Sequence, residues 1–301
     1  QLTMVSLEEQ LLANSFEKVF MGAAGSAGGG GGAKAIAVAH ENFPYVTAYS
    51  WDVDNGFGGK FLNPATLPIG NANGVSFSSD GSAIAVGIAV SPFVSVYPWS
   101  GSGFGSKFSN PSTLPPNACN GVTFSPDGSA IAVTHSSSPY VSAYAWSGSG
   151  FGSKFSNPSS GVTGIGIGIA FSPDSSAIVV AHIASPYVSA YPWSGSGFGS
   201  KYSNPSTLPA GNGRGVSFSP DGSALAVAHS GTPYVTAYPW SGSGFGTKYS
   251  DPVTLPTGNS KAVAFSSVGD PQVAYSNYVA VSRNASPYVA VYPWSDTGFG
   301  T

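Results

Sequence analysis

Apolar and polar positions along this chain recur in a fixed unit, not at a helical spacing. One copy runs from Gly215 to Asn259, GVSFSPDGSALAVAHSGTPYVTAYPWSGSGFGTKYSDPVTLPTGN. Within it, short uncharged runs rich in Val, Ala, Tyr and Phe alternate with Gly, Ser and Pro, the pattern of strands bounded by turns. The unit predicts strand A at Gly215–Ser219, strand B at Ala224–His229, strand C at Pro233–Trp240 and strand D at Phe245–Tyr249. Asp221-Gly222 supplies the positive φ that a tight A–B hairpin needs, and Ser241-Gly242-Ser243-Gly244 does the same between C and D. A loop with Pro252, Leu255 and Pro256 leads on to the next unit. Near-continuous apolar runs such as Ala130–Val133 suit strands covered on both faces. From residue 33 onward no segment carries a helix period.

The unit is repeated six times. Trp51, Trp99, Trp146, Trp193, Trp240 and Trp294 are spaced by 48, 47, 47, 47 and 54 residues. A fixed period of that size marks a repeat architecture. Four short strands per period predict an all-β chain, a single β-propeller of six blades of four antiparallel strands over residues 34–301. The tryptophans, with Phe77, Phe124, Phe171, Phe218 and Phe265 before the A–B turn, are its structural repeat residues. Tyr140, Tyr144 and Trp146 share parity, as do Tyr187, Tyr191 and Trp193, so each set is expected on one blade face, wedged against a neighbour. A ring of exposed aromatics stacking on sugars is the alternative; their mid-strand placement in every blade favours packing.

The ends depart from the pattern. Blade one has strands B, C and D at Ala35–His40, Pro44–Trp51 and Phe57–Phe61, but no GVxFSPDG segment precedes them; the Gly-rich run Ala24–Ala33 stands there. Blade six has strand A at Lys261–Ser266, an insertion with Asp270, Pro271 and Gln272, strands B and C at Tyr278–Arg283 and Pro287–Trp294, and part of strand D. Residues 1–33 form a separate leader. Ser6-Leu7-Glu8-Glu9-Gln10 before Leu11, Leu12 and Phe16 reads as a capped amphipathic helix over about 6–16. Residues 18–22 are a candidate closing strand, with Phe20 in place of the repeat phenylalanine, and 24–33 its loop. The leader is read as a lid on one propeller face, as an anchor docking onto a larger assembly through Leu11, Leu12, Phe16 and Phe20, or as a disordered arm. It lacks a basic segment followed by an apolar core, so no signal peptide is expected, and no run of 18 apolar residues predicts a membrane span.

The FSPDG turn followed by SAIAVA, as in Phe124–Val133 and in the similar Phe218–Val227, resembles WD40-like and PD40-type propeller repeats over roughly residues 35–301. The Trp-Asp dipeptide survives only at Trp51-Asp52; elsewhere it is Trp-Ser. Units of the form SPYVSAYPWSGSGFGSKFSNPSTLP are similar to repeats in structural proteins of tailed bacteriophages, and the leader from Asn14-Ser15-Phe16 to Gly25 resembles the N-terminal stretch of many virion proteins of such phages. The resemblance implies a virion component, such as a tail fibre, a decoration protein or a receptor-binding element.

Composition narrows the chemistry. Only 8% of residues are charged, while 42% are hydrophobic and 13% aromatic, so the surface is expected to be neutral and hydroxyl-rich. A net charge of −3 without a basic stripe points away from nucleic acid. A lone cysteine, Cys119, excludes an internal disulfide. The four histidines, His40, His135, His182 and His229, all fall at the end of strand B, where blades two and six carry Ile88 and Arg283. Dispersed around a ring, they are expected to bond nearby backbone carbonyls and not to share a metal. Asp127, Asp174 and Asp221 read as turn residues; Asp52-Val53-Asp54-Asn55-Gly56 opens like a calcium loop but lacks the closing glutamate. Gly164 to Gly168 alternates Gly and Ile without a following helix, so it is not a dinucleotide fingerprint. The sequence therefore predicts a non-enzymatic structural or attachment protein of a virion or extracellular surface, without cofactor. Its expected partners are other assembly proteins through the leader and a cell-surface glycan. A lectin-like propeller with several equal weak sites is the alternative, and a propeller hydrolase or lyase the third reading.

Overall fold

A repeat whose strands are apolar on both faces cannot bury itself, so its stability lies in stacking against the next copy. The computed structural model, described here over residues 20–24, 34–52, 55–266 and 278–300, places these copies as six four-stranded antiparallel blades, with no helix among the described residues. Blade one is β1 (Phe20–Ala24), β2 (Lys34–Ala39), β3 (Val46–Asp52) and β4 (Gly56–Lys60). Blade two is β5 (Ala72–Phe77), β6 (Ala83–Ile88), β7 (Val94–Ser100) and β8 (Gly103–Phe104). Blade three is β9 (Cys119–Phe124), β10 (Ala130–His135), β11 (Val141–Trp146) and β12 (Phe151–Lys154). Blade four is β13 (Gly166–Phe171), β14 (Ala177–His182), β15 (Val188–Ser194) and β16 (Gly197–Phe198). Blade five is β17 (Gly213–Phe218), β18 (Ala224–His229), β19 (Val235–Ser241) and β20 (Gly244–Phe245). Blade six is β21 (Ser260–Phe265), β22 (Tyr278–Arg283), β23 (Val289–Ser295) and β24 (Gly298–Phe299). The fold is a six-bladed β-propeller.

Each blade has a face of small residues and a face of large ones. At the junction of blades two and three, Ala83, Ala85, Val94 and Val96 receive Val122, Phe124, Ile131, Val133, Tyr144 and Trp146. The next junctions repeat this with Ala130, Ala132, Val141 and Ala143 under Ile178, Val180, Tyr191 and Trp193, then Ala177, Val179, Val188 and Ala190 under Leu225, Val227, Tyr238 and Trp240. Each tryptophan from Trp99 onward is the centre of an edge-on aromatic cage. Trp146 meets Phe108 of the preceding blade and Phe124 and Phe151 of its own at 5.3, 5.3 and 5.5 Å, so the cage rivets two blades together. The tryptophans at Trp99, Trp146, Trp193 and Trp240 are buried, which places the repeat aromatics in the core.

The innermost strands of blades two to five each carry a glycine where they approach the next blade closely. A Cβ on Gly74 would stand 3.2 Å from the Cα of Gly121, on Gly168 2.9 Å from that of Gly215, and on Gly215 2.8 Å from that of Ala262. On Gly121 it would lie 2.6 Å from the carbonyl oxygen of Ile167. In blade six this position is Ala262, and the junction that would follow differs. Among the described residues β21 and β1 are not packed as the other innermost neighbours are. Val289 and Val291 are 49% and 58% exposed where the equivalent Val235 and Ala237 are sealed at 0% and 1%. Trp51 keeps Phe57 alone as a described ring partner.

Several sequence expectations shift. The parity argument fails for Tyr140, which packs at the junction of blades three and four while Tyr144 and Trp146 pack at that of blades two and three. Tyr140 has φ +67°, and Tyr45, Phe93, Tyr187 and Tyr234 share this left-handed turn, which reverses the side-chain direction before the strand begins. Strand C thus starts two residues later than expected, at Val235 in blade five. The fourth strand, expected at Phe245–Tyr249, is only Gly244–Phe245, with Gly244 at φ +103° turning the chain. In blade one the innermost strand is Phe20–Ala24, two residues later than the expected 18–22. The leader helix over 6–16, with Leu11, Leu12 and Phe16, the loop over 25–33 and the insertion at Asp270, Pro271 and Gln272 lie outside the described residues. Phe20 does not stand in for the repeat phenylalanine: it pairs with Ala39, while Ala23 opposite Ile36 takes the place that Phe77 opposite Ile84 holds in blade two.

The glycine contacts make a direct prediction. Gly168→Ala drives a methyl into the backbone of blade five and is expected to lower the unfolding free energy by about 1–3 kcal/mol. Gly195→Ala, at a turn where the new Cβ meets nothing within 4 Å, is expected to change it by less than about 0.5 kcal/mol. Urea denaturation of both variants beside the parent decides it.

Candidate functional site

The two ends of the strands carry different chemistry. At one end lie the turns between the first and second strand of each blade. In Ser125-Pro126-Asp127-Gly128-Ser129, Gly128 takes φ +71° to close the turn. The Ser125 hydroxyl donates to Asp127 Oδ1 at 2.5 Å, and the Ser129 amide and hydroxyl donate to the same oxygen at 3.0 and 2.8 Å. The Ala130 amide donates back to Ser125 Oγ at 2.9 Å. Asp80, Asp174 and Asp221 are clasped by Ser78 and Ser82, Ser172 and Ser176, and Ser219 and Ser223 in the same way. Hydrogen bonds from Ser78, Ser172 and Ser219 hold these three carboxyls below the usual aspartate range.

Between neighbouring blades these turns open into grooves. One of about 310 Å³ lies at blades two and three, lined by Ser79, Asp80, Asp127, Trp146, Ser147 and Gly148. A smaller one of about 50 Å³ lies at blades five and six, lined by Pro220, Asp221, Ser266, Tyr278, Trp294 and Asp296. Each groove offers hydroxyls, clasped carboxylates and the rim of a tryptophan. Such a lining suits a neutral, polyhydroxylated ligand, and the larger groove is at the lower end of small-ligand pocket sizes. Trp146 presents only 6% of its surface, so a ligand meets its edge and not its face.

At the other end sit the histidines, which the ring does not bring together. His135 Nε2 is 3.0 Å from Ser142 Oγ, and its Nδ1 is 2.7 Å from the Ser137 carbonyl. His182 pairs with Ser189 at 3.0 Å, and His229 with Thr236 at 2.8 Å. Burial pushes all three imidazoles down to about 4, so they are neutral at physiological pH. The hydroxyl partner was not singled out in the sequence, although its spacing of seven residues after each histidine is a readable signal. Cys119 is fully buried, and burial raises its thiol to about 12, which makes it inert. Asp52 accepts bonds from the amide and side chain of Asn55 at 2.8 and 2.7 Å, a turn geometry. No three metal-ligating side chains come together among the described residues.

No protein-family model matches the chain, and no curated protein matches it. Solved structures do share its fold. A chain of hydrazine synthase from Kuenenia stuttgartiensis is similar with a TM-score of 0.63 at 16% identity, over 86% of this chain and 73% of that one. At that identity the likeness concerns the propeller alone.

The imidazoles set a pH dependence. The unfolded chain binds their protons near 6.5 and the folded chain only near 4, so the stabilising neutral form is fully present above about pH 6.5 and its contribution falls away toward about pH 4. The urea midpoint is expected to drop over that interval. Replacing His182 and His229 by Ile, the residue blade two carries at Ile88, is expected to flatten the decline; an unchanged slope would exclude the histidines as its source.

Proposed function

We propose that this chain is a non-enzymatic structural and attachment module of an extracellular or virion assembly. One observation carries this reading: the groups able to do chemistry are spent identically in successive blades. The aspartates at Asp80, Asp127, Asp174 and Asp221 clasp turns, and the histidines at His135, His182 and His229 pair with a hydroxyl of the next strand. Catalysis needs a few groups of different character converging on one reacting atom, and repetition of one structural role around a ring works against that. The narrower assignment to a tailed-phage particle, and the kinship with WD40-like and PD40-type repeats, rest on the repeat style of units such as Ser91–Pro115 and on the leader. In this reading the leader docks the propeller onto its assembly.

Attachment would run through the inter-blade grooves, whose hydroxyl and carboxylate lining favours a surface glycan. A single groove of this depth is expected to bind weakly, about millimolar, and several on one ring gain about 10²–10⁴ through multivalency. A glycan array displaying neutral oligosaccharides at high density is expected to capture the protein. Ser147→Trp, which fills the groove at blades two and three from an exposed position, is expected to weaken capture without shifting the urea midpoint. Silence across the array sinks the glycan reading; a native particle imaged by electron microscopy without this chain as a component sinks the assembly reading.

A further inference from the structure

The chain has two arginines, Arg214 in the inner strand of blade five and Arg283 in the second strand of the adjoining blade six, both at the end of the strands opposite the grooves. Arg283 occupies the position that His135, His182 and His229 hold in other blades. There the imidazole Nε2 is paired with a hydroxyl seven residues on; in blade six that residue is Ala290, so the socket has lost that partner. Arg283 is nevertheless only 8% exposed, and its Nε is buried without a hydrogen-bond partner. Across the ladder it pairs with Ser260, which is fully buried and whose hydroxyl is likewise unpartnered.

Arg214 supplies the opposite wall. It is the extra residue of the bulge at the start of β17, where the register slips between Gly213 and Gly215. Asn73 and Asn120 hold the equivalent bulge positions in blades two and three. Their amides cross to the next blade and donate to the carbonyls of Cys119 and Gly166 at 2.8 Å. The residue that corresponds to Cys119 and Gly166 in blade six is Ser260. In blades two and three this bulge position thus reaches the residue equivalent to Ser260, and in blade five the half-buried Arg214 stands there with its Nε buried and without a partner. No described carboxylate pairs with either guanidinium; the described ion pair is Lys248 with Asp251.

We propose that this junction is a binding site for an oxyanion, a phosphate or carboxylate group held between the guanidiniums of Arg283 and Arg214 with the Ser260 hydroxyl as a further donor. Arg283 is buried and Arg214 half-buried, neither faces a described carboxylate, and an anion would replace their lost hydration through charge-assisted bonds to the planar guanidinium fork. The site is asymmetric: blades two to five carry Ile or His where Arg283 stands. It departs from the proposed attachment grooves in place and in ligand charge, so either can fail without the other.

Isothermal titration of the full chain at low ionic strength, with inorganic phosphate and separately with acetate, tests it. Saturable binding of one or both is expected, with both binding if the site reads the oxyanion alone and one if it reads geometry. The double variant Arg283→His with Ala290→Thr installs the pair that His229 and Thr236 already form in blade five, so it removes the arginine while keeping a native socket. It is expected to retain the parent circular dichroism and to bind at least about tenfold more weakly, one missing charge-assisted bond being worth that factor. Arg214→Gln is expected to weaken binding in the same direction. Absence of saturable binding to both anions by the parent, or undiminished binding by the folded double variant, overturns the proposal.

Discussion

The fold depends on one asymmetric contact, a face of large side chains set on a face of small ones. Tyr97, Tyr144, Tyr191 and Tyr238 are sealed from solvent because each lies over alanines and valines of the blade before it. The caged tryptophans fix the angle at which the blades meet, since each ring is gripped by aromatics from both blades. A contact of this kind has a direction. It cannot be satisfied by a blade packing on itself, and it carries the chain round in one sense until a large face meets a small face again. The inner glycines serve the same contact, because the wedge can taper only if the strands nearest the axis touch backbone to backbone.

The seam follows from that directionality. Blade six presents a small face and blade one a large face, so they are the two halves of the contact made at the five other junctions. Yet blade six has Ala262 where blades two to five have glycine, and Val289 and Val291 are open to solvent. Among the described residues the seam is therefore a different joint from the rest: the inner strands of blades six and one are not packed as the other inner neighbours are.

Most of this was legible in the sequence where the signal was local and repeated. The tryptophan period, the Asp-Gly turns and the apolar second strands at Ala130, Ala177 and Ala224 translate directly into blades, hairpins and buried strands. Misreadings came from backbone geometry that composition does not encode. Tyr140 has the residue type and spacing of a strand position, but its positive φ sends the ring to the other junction. Phe245 to Tyr249 looks like a strand, but regular ladder pairing ends after Phe245; the Tyr249 amide still bonds the Ala237 carbonyl of the same blade while its ring packs against Trp294 of the next. In the candidate site, the aspartate turns were readable as turns, but the grooves between them were not. They exist only where one blade meets the next, and no single repeat contains one.

Repetition also sorts the residues that matter. In a ring of near-identical blades, a polar group that recurs from copy to copy is explained by the copy: the serine clasps hold a turn and the histidine–hydroxyl pairs tie neighbouring strands of one blade. Such groups give equivalent surfaces and little selectivity. A polar group present once has no such explanation. Arg283 replaces an imidazole that its own blade could have satisfied, and Ala290 removes the hydroxyl that would have satisfied it; two changes that are each unfavourable in the repeat's own terms occur on neighbouring strands of one blade. A packing role alone would have been met by isoleucine, as at Ile88, without bringing a charge into the junction. The symmetric part of the molecule thus accounts for its architecture, and the departures from the repeat are concentrated in the blades at its two ends.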